Sequence, residues 1–183
     1  MPSPDVSALA AVDPAVMRSV MARFATGVAI VSTMDEGVPY AAAVNSLTSV
    51  SLEPPIILVC FKRDSRTCDA IVRRGAFGIS ILAEQHEPHS RRFARSQPAQ
   101  DDPALVLVDG LPVIRGAVAG LLCETDSVLE KGDHVVVFGR VVRTHQEEGL
   151  PLLFFASGYH RLDRLAGPLR QAGVALDAGE WGM

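Results

Sequence analysis

The chain carries no GxGxxG turn and no GxxxxGK[ST] loop, so neither the doubly wound dinucleotide cradle nor the P-loop is available to hold a nucleotide. No uninterrupted apolar run approaches the ~20 residues of a membrane-spanning helix. Leu121-Leu122-Cys123 stops at Glu124, and Val135-Val136-Val137-Phe138 stops at Gly139-Arg140. There is no basic surplus: 17 Lys and Arg stand against 21 Asp and Glu for a formal net charge of -4, which argues against nucleic acid as a partner. Residues 1–11 lack Lys and Arg and hold only a short apolar patch, which fits neither a secretory signal nor a transit peptide. Cys60, Cys68 and Cys123 are an odd number without CxxC spacing, so a disulfide framework and a zinc cluster are both poorly supported, and a reducing, cytoplasmic setting is the simpler reading. Cys60 and Cys123 lie inside apolar runs, where cysteine packs as a small hydrophobe.

What is present is a chain of 183 residues with 48% hydrophobic content, enough for one continuous core. Asp13-Pro14 pairs an N-cap with proline at the first helical position, and Val16, Val20 and Phe24 recur at four-residue spacing, so a helix is expected to run to about Phe24. The β-branched run 28–33 stops at the Asp35-Glu36-Gly37 turn and returns over 38–44. Further strands are expected at 48–52 and 56–61, separated by Pro54-Pro55. Asp64 or Ser65 caps a short helix ending near Arg73-Arg74-Gly75, a strand follows at 76–82, and Pro88 confines the next helix to about 88–94. Residues 96–103 read as loop. Long strands at 116–124 and 134–144 are joined through Glu130-Lys131-Gly132-Asp133, with a last one at 151–155. From Arg161 the periodicity is lost and the tail reads as loop or arm. Many short strands and few short helices point to a mainly β, antiparallel barrel.

Two segments carry chemistry. Asn45-Ser46-Leu47-Thr48-Ser49-Val50-Ser51 places five polar side chains among seven residues between two strands. That is either a hydroxyl-rich edge with Asn45 in a turn, or a wall of donors and acceptors suited to the pyrimidine edge of an isoalloxazine ring. In Lys62-Arg63-Asp64-Ser65-Arg66-Thr67, the free N–H groups of a helix's first turn, flanked by hydroxyls and cations, form an anion site, or Ser65 merely caps the helix.

In order with these come Phe24-Ala25-Thr26-Gly27-Val28, Leu52-Glu53-Pro54-Pro55, Arg92-Phe93-Ala94, Gly132-Asp133-His134 and Tyr159. The ordered set resembles the short-chain flavin reductases of two-component flavin-dependent monooxygenases, over roughly residues 16–162. The resemblance implies an antiparallel Greek-key split β-barrel over 13–162, with 1–12 and 163–183 as terminal arms, acting as a cytoplasmic homodimer. It implies FMN or FAD as flavin, NADH or NADPH as hydride donor, and a separate monooxygenase that receives the reduced flavin. By the same resemblance Asn45, Ser46, Leu47 and Thr48 lie beside the isoalloxazine, with Thr26, Ser49 and Ser51 in the cofactor-binding set. Ser65, Arg66 and Thr67 surround the ribityl phosphate, and Arg92 and Phe93 border the pocket. Gly132, Asp133 and His134 form the nicotinamide side, His134 at the reaction centre and Tyr159 nearby.

His86 and His89 are spaced as a metal pair, but Pro88 between them spoils a shared helical face and no third ligand is evident. The competing reading is an FMN-binding electron carrier or sensor of the same barrel that never turns over NAD(P)H.

Overall fold

A computed structural model describes residues 11–95, 99 and 102–162. Helix α1, Pro14–Met21, starts where the Asp13 carboxylate accepts from the Ala15 and Val16 N–H groups, and ends three residues short of Phe24. Strands β1 (Thr26–Gly27), β2 (Ala29–Asp35) and β3 (Val38–Val44) follow. The β2–β3 turn has positive φ at both Glu36 and Gly37, the two-residue geometry whose twist matches a hairpin. Then come β4 (Thr48–Leu52), β5 (Pro55–Lys62), α2 (Arg66–Arg74) and β6 (Ala76–Ile81). A 3-10 turn at Glu84–His86 leads into α3 (Glu87–Phe93), which has Pro88 in its first turn as expected. Hairpin β7 (Leu105–Val108) and β8 (Leu111–Ile114) precedes β9 (Ala119–Lys131) and β10 (His134–Gln146), and β11 (Leu153–Phe155) and β12 (Gly158–His160) close the described chain.

Other boundaries also differ from expectation. β9 begins at Ala119 rather than 116, because Gly116 sits at φ +72 in a turn closed by Ala117 N–H to the Ile114 carbonyl. It runs on to Lys131, so the joint with β10 is only Gly132-Asp133, with Gly132 supplying φ +60 at the first turn position. Pro151 forms a single bridge to Ala83, and the strand itself starts at Leu153. The tail expected from Arg161 lies, beyond 162, outside the described residues, as do 1–10 and parts of the 96–103 loop.

Seven strands form one sheet in the order β3-β2-β6-β9-β10-β5-β4, every pairing antiparallel. β3 and β4 therefore occupy opposite edges, although only residues 45–47 separate them in the chain. A flat sheet of this size would be about 29 Å across, whereas such a connector reaches roughly 14 Å at most. The sheet must curl until its edges meet, and the split of the resulting barrel lies at 45–47.

Alternate residues of β2 face opposite ways, and both faces are covered. Ala29 and Val31 join Ile57, Val59, Phe61, Phe77, Ile79, Cys123 and Val137 in one cluster, into which α2 inserts Cys68 and Ile71. Val28 and Ile30 pack on the other side with Leu82, Phe93, Ile114 and Leu152. Cys68 and Cys123 are buried, and burial pushes the Cys123 thiol up to about 12. Cys60 is only half-buried, at the edge of the site described next.

Candidate active site

The end of the barrel where the split lies also receives the N-terminus of α2, the C-terminus of α3 and the β9–β10 turn. Ser65 caps α2, its Oγ accepting from the Cys68 N–H at 3.3 Å, and Gly75 closes the helix in the left-handed conformation at φ +72. The segment before α2 is tied to the turn that carries His134. Arg63 donates its main-chain N–H to the Asp133 carbonyl at 3.2 Å, and its guanidinium meets Glu130 at 3.2 Å.

Two hollows open on either side of residues 44–46. One, about 440 Å³, is lined by Asn45, Ser46, Cys60, Lys62, Ser65, Phe93 and His134 among others. The second, about 670 Å³, runs from Met21 and Phe24 past Thr26 to Asn45, Leu47 and Thr48. Val44, Asn45 and Ser46 belong to both. Such volumes are those of small-molecule sites. A further hollow of about 500 Å³ between the β7–β8 hairpin and β9–β10 is lined by none of the residues singled out from sequence.

His134 opens β10 and donates from Nδ1 to Asp133 Oδ1 at 2.8 Å. The hydrogen bond to His134 holds the Asp133 carboxyl below the usual carboxylate range, so it is ionised at neutral pH and can only accept. Nδ1 therefore carries the proton of this hydrogen bond, which fixes the orientation of the ring.

The remaining candidates fall in different places. Leu47 packs against the barrel core and lines both the larger hollow and an apolar one of about 160 Å³, which Ser49 and Ser51 line with Ile56, Ile57 and Val141. Thr26 Oγ1 is buried in the wall of the larger hollow without a hydrogen-bond partner among the described residues. Arg66 opens α2 exposed, and Thr67 is buried within the helix. Phe93 is buried at the smaller hollow, while its neighbour Arg92 pairs with the buried carboxylate of Asp102 at 3.2 Å, which His89 also contacts at 3.3 Å. Gly132 and Asp133 form the exposed turn. Tyr159 docks on α3: its hydroxyl meets Ser90 Oγ at 2.8 Å, and the Arg91 guanidinium lies 4.7 Å from its ring centroid. Sequence reasoning missed Cys60, Lys62 and Asp64 as lining residues. Lys62 stands directly opposite His134 in the β5–β10 register, a placement that only strand pairing reveals.

Residues 21–163 match the flavin reductase like domain, and the chain belongs to that family. It is 38% identical over 157 residues to the flavin-dependent monooxygenase reductase subunit HsaB of Rhodococcus jostii, covering 81% of this chain and 78% of that protein. It is also 38% identical over 156 residues to the NADH-dependent flavin reductase StyB of Pseudomonas fluorescens, covering 81% and 90%. Among solved structures, the Streptomyces globisporus NADH:FAD oxidoreductase SgcE6 in complex with NAD and FAD fragments superposes with a TM-score of 0.78 at 32% identity, over 87% of this chain and all of that one.

Proposed function

We propose that this chain is an NAD(P)H:flavin oxidoreductase whose domain, residues 13–162, binds FMN or FAD across the two hollows and delivers reduced flavin to a separate monooxygenase. The observation that carries this reading is the hollow of about 440 Å³ in which Asn45, Ser65, Phe93 and His134, from distant parts of the chain, line one space. The donor set there fits a flavin phosphate at one end and a flat heterocycle at the other. When bound, the flavin accepts the hydride that the nicotinamide donates, so the chain's task is binding and alignment.

The first-turn N–H groups of α2, with Ser65, Arg66 and Thr67, hold the phosphate. The Ser65 oxygen already accepts from Cys68, which leaves its O–H to donate. Asn45, Thr48 and the main chain of 45–47 meet the polar edge of the ring, with Leu47 and Phe93 as apolar cover. His134, its ring fixed by Asp133, orients the nicotinamide. Assembly as a homodimer is supported by apolar side chains that no described residue covers: Val16, Val20 and Phe24 are 55%, 62% and 68% exposed, and Leu129 on the free edge of β9 is 53% exposed. The reduced cysteines suit the cytoplasm, and no described helix is long and apolar enough to cross a membrane.

Steady-state NADH oxidation with added free flavin tests the reading. Turnover that rises with flavin concentration is expected, and a protein that purifies yellow without turnover would establish the electron-carrier alternative. His134→Ala should raise the KM for NADH and slow single-turnover flavin reduction on the order of ten- to hundredfold, because a misaligned ring loses preorganised contact. Its flavin Kd should stay near wild type. A wild-type rate and KM would remove His134 from the reaction centre.

A further inference from the structure

We propose that Ser46 is a positioning residue: its hydroxyl clamps the split of the barrel to β5 and thereby sets the distance between the flavin edge and the nicotinamide side. The proposal rests on the reductase reading above. The β4–β5 ladder ends at Thr48 opposite Leu58, and continuing its register by two residues sets position 46 against Cys60. No backbone pair forms there. Instead Ser46 Oγ accepts from the Cys60 N–H at 3.0 Å and donates to the Cys60 carbonyl at 3.2 Å, so one side chain satisfies both main-chain groups of a ladder position.

Two consequences follow from this substitution. Residues 45–47 lie outside the ladders on both sides, since β3 pairs up to Val44 and β4 from Thr48, yet they are held at a fixed distance from β5. And the other edge of β5 carries β10, with Cys60 opposite Val136 and Lys62 opposite His134. Ser46 and His134 thus reach the same hollow from the two sides of one strand, and the clamp decides how far apart those sides stand. A hydroxyl has one hydrogen to donate, and that hydrogen is spent on Cys60. Ser46 accordingly acts on the ligands through the segment it anchors, not by donating to them.

The first test needs no flavin. In ligand-free protein, Ser46→Ala should speed amide exchange at Cys60 on the order of tenfold, the size of one lost hydrogen bond, and Ser46→Thr, which keeps the hydroxyl, should restore it. Unchanged exchange at Cys60 in Ser46→Ala overturns the clamp. The second test is stopped-flow reduction at saturating NADH. Ser46→Ala should slow reduction of flavin-saturated protein by on the order of tenfold or more, and Ser46→Thr should recover the rate. A direct flavin ligand would instead weaken Kd and leave the bound fraction reducing at the wild-type rate, and a merely structural serine would lower Tm and change neither; either result overturns the proposal. If Ser46→Ala does not fold, Ser46→Cys, with its weaker donor, should give the same changes at smaller size, and wild-type behaviour in that variant would equally overturn it. Failure of the wild type itself to reduce flavin with NADH would sink the reductase reading, while the exchange experiment would still decide the clamp.

Discussion

Helices α1 and α2 begin alike and end differently. Each has a side chain at its N-cap accepting from the first turn, Asp13 in one and Ser65 in the other. Yet α2 buries Thr67, Cys68, Ala70 and Ile71 in the barrel, whereas α1 buries nothing and presents Val16, Met17, Val20 and Met21 outward. Caps and periodicity decide where a helix starts and which stripe is apolar; they are silent on what that stripe meets. In α2 the partner is the sheet of the same chain. No described residue covers the stripe of α1, and a second copy of the chain is the occupant proposed above.

The sharpest way to break this contrast is to truncate both stripes. Ile71→Ala should cost about 2–5 kcal/mol in urea unfolding, because Ile71 is fully buried among core side chains. Val20→Ser should leave the unfolding of a single chain nearly unchanged but weaken self-association by about 1.5–3 kcal/mol, read as a raised dimer dissociation constant in sedimentation. A wild-type chain that sediments only as monomer would overturn the assignment of the α1 face. Ser65→Ala with Thr67→Ala should weaken FMN binding by about 1–3 kcal/mol and riboflavin binding far less; equal weakening would show that the α2 terminus does not hold the phosphate. Smallest of all, Asp13→Ala removes two cap hydrogen bonds from a helix that the core does not need. It should shift global stability by under about 1 kcal/mol, with the loss visible mainly as reduced helicity.

The same distinction explains what the sequence made legible. Strands β2 to β6 and both capped helices could be read because β-branched runs, caps, periodicity and Gly or Pro punctuation mark them, and in β2, β5, β6 and α2 burial coincides with those signals. The outer half of β9 could not: Thr125-Asp126-Ser127-Val128-Leu129-Glu130-Lys131 is mostly exposed on both faces and therefore shows no alternation. The β7–β8 hairpin was within reach, since Asp109-Gly110 separates two apolar runs, but Pro112 within the second run argues against a strand. β1 and β12, of two and three residues, are too short for any period. At the site, the order of motifs led to the right family, and eight of its sixteen candidate residues line the two hollows. It was blind to how side chains are spent: Ser46 on Cys60, Arg92 on Asp102, Tyr159 on Ser90. Those bonds join positions 14, 10 and 69 residues apart, and no local pattern encodes them.

The short link between the two sheet edges also governs which insertions and deletions the chain tolerates. At a hairpin tip such as Gly110, an added residue lengthens a loop and leaves both strands as they were. Between Val44 and Thr48 the chain is held at both ends by ladders and in the middle by the Ser46 bonds to Cys60. One extra residue there would either displace Ser46 from Cys60 or slide β4 by one position along β5, turning Thr48 away from the hollow it lines and bringing its neighbours round in its place. Length variation among related chains should therefore collect at the hairpin tips and leave this link constant, so that a change of one residue here amounts to a change of binding surface.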